Sequence, residues 1–177
     1  MKRRSLLSAS AILLATMFPL LTSADDAKDT QALLAALPNS KLSLSDGVRQ
    51  AAKAPAAAIS AKFELEDGKL SLSVYTAGKG LGVEPEKNVL QELSGSPEDK
   101  WEPKVEVFKD VPHVARSSEQ LTLMALGKDS LADIIARVEK AQSGTVFSVT
   151  PTIRSHKPVA EVLVADKGKV KKLYQPL

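Results

Sequence analysis

Ile59-Ser60-Ala61-Lys62-Phe63-Glu64-Leu65-Glu66-Asp67-Gly68-Lys69-Leu70-Ser71-Leu72-Ser73-Val74-Tyr75-Thr76 alternates polar and apolar residues on both sides of one Asp-Gly pair. A period of two is the signature of a strand with one face buried. Asp-Gly tolerates the positive φ of a type I′ turn, so the stretch reads as a β-hairpin. Pairing Glu66 with Lys69 sets Leu65 opposite Leu70, Phe63 opposite Leu72, Ala61 opposite Val74 and Ile59 opposite Thr76. A slip of one residue would turn that whole apolar face to water, so the register is strongly specified.

Upstream, Ser43-Leu44-Ser45-Asp46 opens a helix on which Leu44, Gly47, Val48, Ala51 and Ala52 recur at intervals of three and four. Ser43 suits the N-cap and Asp46 the positive helix end, while Pro55 stops the helix. A face built from Ala and Gly predicts close approach to the sheet. The pattern returns at Ser130-Leu131-Ala132-Asp133, where 130 − 43 and 131 − 44 both equal 87. Leu131, Ile134, Ile135 and Val138 repeat the helical spacing with bulkier residues. Beyond Gly144, a turn at Ser155-His156 sets Ile153 opposite Pro158, Pro151 opposite Ala160, Val149 opposite Val162 and Phe147 opposite Val164. These positions match the first hairpin at an offset of 88, so one residue is inserted between helix and strand. Asp166-Lys167-Gly168 turns into a last strand, Lys169 to Tyr174. Pro151 and Pro158 lack a ladder donor, which places one or both at an edge or a bulge.

Between the repeats, Ala77 to Gly82 lacks the Gly-Lys-Ser/Thr ending of a phosphate loop and reads as a flexible connection to a third strand near Asn88 to Leu93. Ser94 to Lys100 reads as a polar loop. Trp101, Pro103, Val105 and Val107 alternate with charged residues as an extra strand. Val114 to Leu126 reads as a helix with Val114, Ser118, Leu121 and Ala125 on one face, ended by Gly127. Residues 29–36 are expected to form a short helix.

The N-terminus has the grammar of an export signal: basic Lys2, Arg3 and Arg4, a mostly apolar run from Leu6 to Leu21, then small Thr22-Ser23-Ala24. Ser8, Ser10 and Pro19 interrupt the run, which falls short of the roughly 20 apolar residues of a membrane span. No stable span is expected once the leader is cleaved, and the location implied is periplasmic or secreted. Of 24 Lys+Arg and 21 Asp+Glu, the leader takes three basic residues, leaving 24 − 3 = 21 against 21. A neutral chain with one Trp is a poor nucleic-acid binder. Lys167, Lys169, Lys171 and Lys172 read as edge-strand lysines that discourage aggregation. With no cysteine, packing alone must hold the fold.

Nothing marks a catalytic, cofactor or metal site. His113 and His156 read as solvated loop histidines, and no His-x₃-His or His-Glu-x-x-His spacing exists. Gly-x-Ser-x-Gly is absent, and Ser94-Gly95-Ser96 falls in a loop without a base partner. Glu64, Glu66 and Asp67 belong to the hairpin's wet side, and Arg116 with Glu119 reads as a surface pair.

A helix capped by Ser-Leu, a hairpin and a third strand closing on a Gly-containing turn, in an exported chain, resembles the PepSY domain family. The residues carrying the likeness are Ser130-Leu131-Ala132-Asp133-Ile134-Ile135, Phe147–Ile153, Val159–Val164 and Asp166-Lys167-Gly168-Lys169-Val170. The resemblance implies an α+β fold of two cystatin-like units, each a helix packed on a small antiparallel sheet. The division expected is 1–24 signal peptide, 25–41 N-terminal segment, 42–95 first unit, 96–128 connector strand and helix, and 129–177 second unit. It implies a non-enzymatic module that binds another polypeptide, a peptidase being the partner class, because small open sheets leave strand edges to which extended segments add. A structural or sensory envelope module, with the units in one continuous sheet, is the alternative.

Overall fold

A computed structural model describes residues 24–177. Residues 1–23, almost all of the expected leader, lie outside it. Helix α1 (Ala24–Ala36) contains the expected short helix and leads through a 3₁₀ turn to α2 (Leu44–Ala51). Strands β1 (Ala57–Glu66), β2 (Lys69–Ala77), β3 (Leu90–Gly95) and β4 (Lys104–Val107) follow. Then come α3 (Val111–Leu126), α4 (Leu131–Ala141), β5 (Thr145–Arg154), β6 (Lys157–Asp166) and β7 (Lys169–Pro176).

All seven strands join one antiparallel sheet in the order β4-β3-β2-β1-β5-β6-β7. This overturns the expectation of two cystatin-like units, each with its own small sheet. The reason is physical. β1 and β5 would each be an edge with a fully apolar inner face, and joining them removes two edges and merges two cores. Ala61 pairs with Val149 and Lys62 with Ser148 across the seam, and one cluster of buried residues runs from Leu37 to Val164.

Both hairpins fold in the register read from sequence. Leu65 faces Leu70, Phe63 faces Leu72 and Ala61 faces Val74. Ile153 faces Pro158, Pro151 faces Ala160 and Val149 faces Val162. Asp67 and Gly68, like Ser155 and His156, take the positive φ that the tight turn needs. The outermost expected pair fails in each hairpin, and at corresponding places. Thr76 faces Ala58 rather than Ile59, and Val164 faces Val146 rather than Phe147, because a bulge absorbs one residue in each strand. Ile59 and Phe147 are 88 apart. Ala61 and Val149, paired at the seam, are also 88 apart, so counterpart meets counterpart across a local two-fold.

Helices α2 and α4 pack side by side on one sheet face. A methyl group on Gly47 would sit 2.3 Å from Leu72 Cδ2, which is the close approach that the small-residue face predicts. Ser43 Oγ accepts from Asp46 N at 3.1 Å and Ser130 Oγ accepts from Asp133 N at 3.2 Å, so both caps form as expected. Helix α3 lies against the opposite face, where Arg116, Glu119 and Gln120 look onto Thr150, Thr152 and Glu161. It starts three residues before the expected Val114, capped by Asp110 and with Pro112 in its first turn. Its buried residues are Ser117, Gln120, Leu121, Leu123 and Met124; Ala125, expected on that face, is exposed.

Pro151 stands in an interior strand without breaking a paired position of the seam. Val149 turns its carbonyl toward β1, where Ser60 Oγ donates to it at 3.1 Å. Alternation points the Pro151 nitrogen to the same side, beyond the last β1–β5 pair. Pro158 likewise lies past the final β6–β7 pair, Val159 with Pro176.

Candidate functional site

Two sheet edges are open, and they differ in how they are defended. β7 carries Lys169, Lys171 and Lys172, as the edge reading of the lysines expected. Lys171 Nζ lies 2.6 Å from Asp166 Oδ2 and Lys172 Nζ 3.1 Å from Glu161 Oε1, so two of these charges are anchored on the strand's flank. The lysine holds the Asp166 carboxyl below the usual carboxylate range.

β4 is short and carries Lys104 and Glu106, but two of its residues are exposed valines. Val105 and Val107 are 57% and 46% exposed. Phe108 N–H donates to the Leu90 carbonyl at 3.0 Å, so Phe108 points its backbone groups inward to β3. By alternation, Val105 and Val107 turn their N–H and C=O groups outward. The extra strand read from Trp101 to Val107 therefore exists only over Lys104–Val107. Its apolar residues face water, while Trp101 is buried at the start of the segment. Sequence alternation finds such a strand but cannot tell which partner its face meets.

Ala77 to Gly82, read as a flexible connection, belongs to a loop before β3 that is tied by Asn88, a residue expected in the strand itself. Its Oδ1 accepts from Lys79 N at 2.9 Å, and its Nδ2 donates to the carbonyls of Gly80 and Val83 at 2.8 and 3.0 Å. Beside this loop lies a cavity of about 380 Å³ between the C-terminal end of α2 and the N-terminal end of α4. Val48, Ala52, Ala58, Leu81, Met124 and Leu131 form its apolar wall, with Arg49 and Asp133 also lining it.

On the α3 side of the sheet, Glu64 is half-buried rather than on a wet face. Lys62 pairs with it and Ser73 Oγ donates to it at 2.8 Å. Tyr75 stacks on Phe108 at 5.9 Å between ring centroids, and Phe108 on His113 at 5.0 Å. Burial, then the Glu92 and Glu64 carboxylates, push the Tyr75 phenol far up, so it stays protonated. His113 is thus a helical residue and not a loop histidine. Its Nδ1 shares a hydrogen bond with Asp110 Oδ2 at 2.7 Å, which holds the Asp110 carboxyl low. His156 occupies the exposed hairpin tip. Ser94 and Gly95 close β3 rather than lying in a loop. Arg116 and Glu119, read as a surface pair, are both exposed, and with Gln120 they rim the cavity under α3. Among the described residues, no three His, Cys, Asp or Glu side chains gather as a metal site would require. No helix among them is long and apolar enough to cross a membrane.

No family model matches the chain. No curated protein matches it either. A solved structure from Clostridium difficile 630, described as a "putative lipoprotein", is similar over 77% of this chain and 95% of its own, at 14% identity and a TM-score of 0.33. That likeness is too low to bear on fold or role.

Proposed function

We propose that this protein is exported and acts, without catalysis of its own, by holding an extended segment of another polypeptide along β4. The export reading is supported by the basic, apolar and small-residue succession of residues 2–24. The observation that carries the binding reading is the outward backbone of Val105 and Val107, presented with their apolar side chains. An added strand gains main-chain hydrogen bonds from those groups and specificity from alternate side chains. The charges nearby, Glu102, Lys104, Glu106 and Lys109, are of both signs, which favours a segment of alternating apolar and neutral polar residues over a charged one. A peptidase is the partner class that the PepSY-like segments support. The shared offsets of helices and hairpins support descent of the two halves from one duplicated unit.

The test uses peptides of that alternating pattern and the peptidases exported by the same cell. Val107→Pro removes one outward N–H and leaves the β3 side of the ladder intact; Val105→Lys places a charge on the edge. Each is expected to abolish peptide capture and peptidase slowing with little change in melting temperature, whereas Val170→Lys on β7 leaves both intact. Capture that survives both β4 substitutions would remove the reading.

A further inference from the structure

The helix pair α2/α4 is closed at one end and hollow at the other, and the difference falls on counterpart residues. At the closed end Ser45 Oγ donates to Glu139 Oε2 at 2.9 Å, joining the start of α2 to the end of α4. The offset that aligns the two caps places Ala132 at the position of Ser45, since 132 − 45 = 87. It places Ala52 at the position of Glu139, since 139 − 52 = 87. Both alanines line the 380 Å³ cavity. One end of the pair is bridged by a hydrogen bond, and at the other the two bridging side chains are cut back to methyl groups.

A space of that size lies within the range of small-molecule sites, and an apolar wall with few polar groups is their usual make-up. It would hold about a dozen water-sized volumes of roughly 30 Å³ each, enough for a chain of several carbons. Leu81 also lines an adjoining apolar groove with Val83, Leu121 and Ala125, so the oily path continues past one side chain of the tied loop. The polar groups in the lining are not equivalent. Asp133 accepts from Ser130 Oγ at 2.6 Å and sits in the first turn of α4, where its charge is already balanced. Arg49 reaches its partner Asp46 only at 3.4 Å, long for a charge-assisted bond, so most of its donors remain free.

We propose that this cavity binds a small amphiphilic carboxylate, its apolar chain against Val48, Met124 and Leu131 and its carboxylate on the Arg49 guanidinium. The site is separate from the β4 edge, and neither reading depends on the other.

Calorimetric titration of the protein with octanoate, octanol and octylammonium decides it. Octanoate is expected to bind saturably below its micellar range and to raise the melting temperature by mass action. Octanol should bind about tenfold more weakly and octylammonium more weakly still. Arg49→Gln should weaken octanoate about tenfold and leave octanol unchanged. Ala132→Leu should abolish binding of all three by filling the cavity. The pair Ala52→Glu with Ala132→Ser, which rebuilds the bridge of the closed end, should do the same and stands in if Ala132→Leu fails to fold. No saturable octanoate binding, or binding that survives the rebuilt bridge, overturns the site. Equal affinity for the three probes with a neutral Arg49→Gln overturns the carboxylate.

Discussion

The two halves of the sheet share a backbone plan but distribute side-chain volume in opposite ways. In the first half the helix offers Gly47 and the sheet offers Leu72, which nearly fills the space where a Cβ would be. The counterpart positions in the second half are Ile134 on the helix and Ala160 on the sheet, at offsets of 87 and 88, and both are fully buried. Small-on-helix with large-on-sheet has become large-on-helix with small-on-sheet. Interiors are packed near crystal density, so a change on one layer requires the opposite change on the layer it meets. Registers, caps and bulges are alike in the two halves, while volume is free to move between layers.

The largest effect expected from breaking this exchange is at Ile134. Ile134→Ala leaves the second half small on both layers and should cost about 2–5 kcal/mol in urea unfolding. A loss under about 1 kcal/mol would mean that Ile134 does not fill the space left by Ala160. Next comes Gly47→Ala, which makes the first half crowded on both layers. Overpacking costs about 1–3 kcal/mol, and the better helix propensity of Ala returns up to about 1 kcal/mol, so a modest net destabilisation is expected. Combined with Leu72→Val, the cost should be less than the sum of the two single changes, and additivity would show that Leu72 is not what the new methyl meets.

A smaller effect tests the shared plan itself. Ser43→Ala and Ser130→Ala each remove one hydrogen bond to an N-terminal amide and should cost about 1 kcal/mol apiece. Unequal losses would show that the caps, alike in geometry, carry different loads. The smallest effect distinguishes the edges. The folded pKa of Asp166 is depressed by Lys171, so its contribution is present above the unfolded carboxylate pKa and fades as pH falls through the folded value. Lys171→Gln should flatten that part of the acid limb of the stability–pH curve, read by thermal melts in steps of pH. An unchanged limb would assign the acid sensitivity elsewhere.

Much of the architecture was legible because local rules agreed with one another. The Asp67-Gly68 turn and the alternation around it left one workable register, and Ser155-His156 was placed by the apolar pairs it sets, although His at positive φ is no strong turn signal. The bulges at Ile59 and Phe147 were not legible, because both residues are apolar and the extended pattern runs through them unbroken. The joining of β1 to β5 was also hidden. Both inner faces read as apolar whether the strands meet or each ends its own sheet, and periodicity does not encode what lies beside a strand. The exposed valines of β4 gave a correct strand and a misleading face for the same reason. Ala52 read as one more residue of a helix's apolar face and Ala132 only as part of a helix start, and only their pairing across α2 and α4 makes them the walls of a cavity.

What the amino-acid order determined by itself was everything set by neighbours along the chain: the two capped helices, the two hairpins, their registers and the constant spacing between them. Those features depend on bond geometry and on alternation over a few residues. Only the tertiary structure decided that the halves share one sheet, that α3 covers its other face, and that one end of the helix pair is bridged and the other hollow. Each of these depends on which distant surfaces lose water together, and that is settled by the whole core at once.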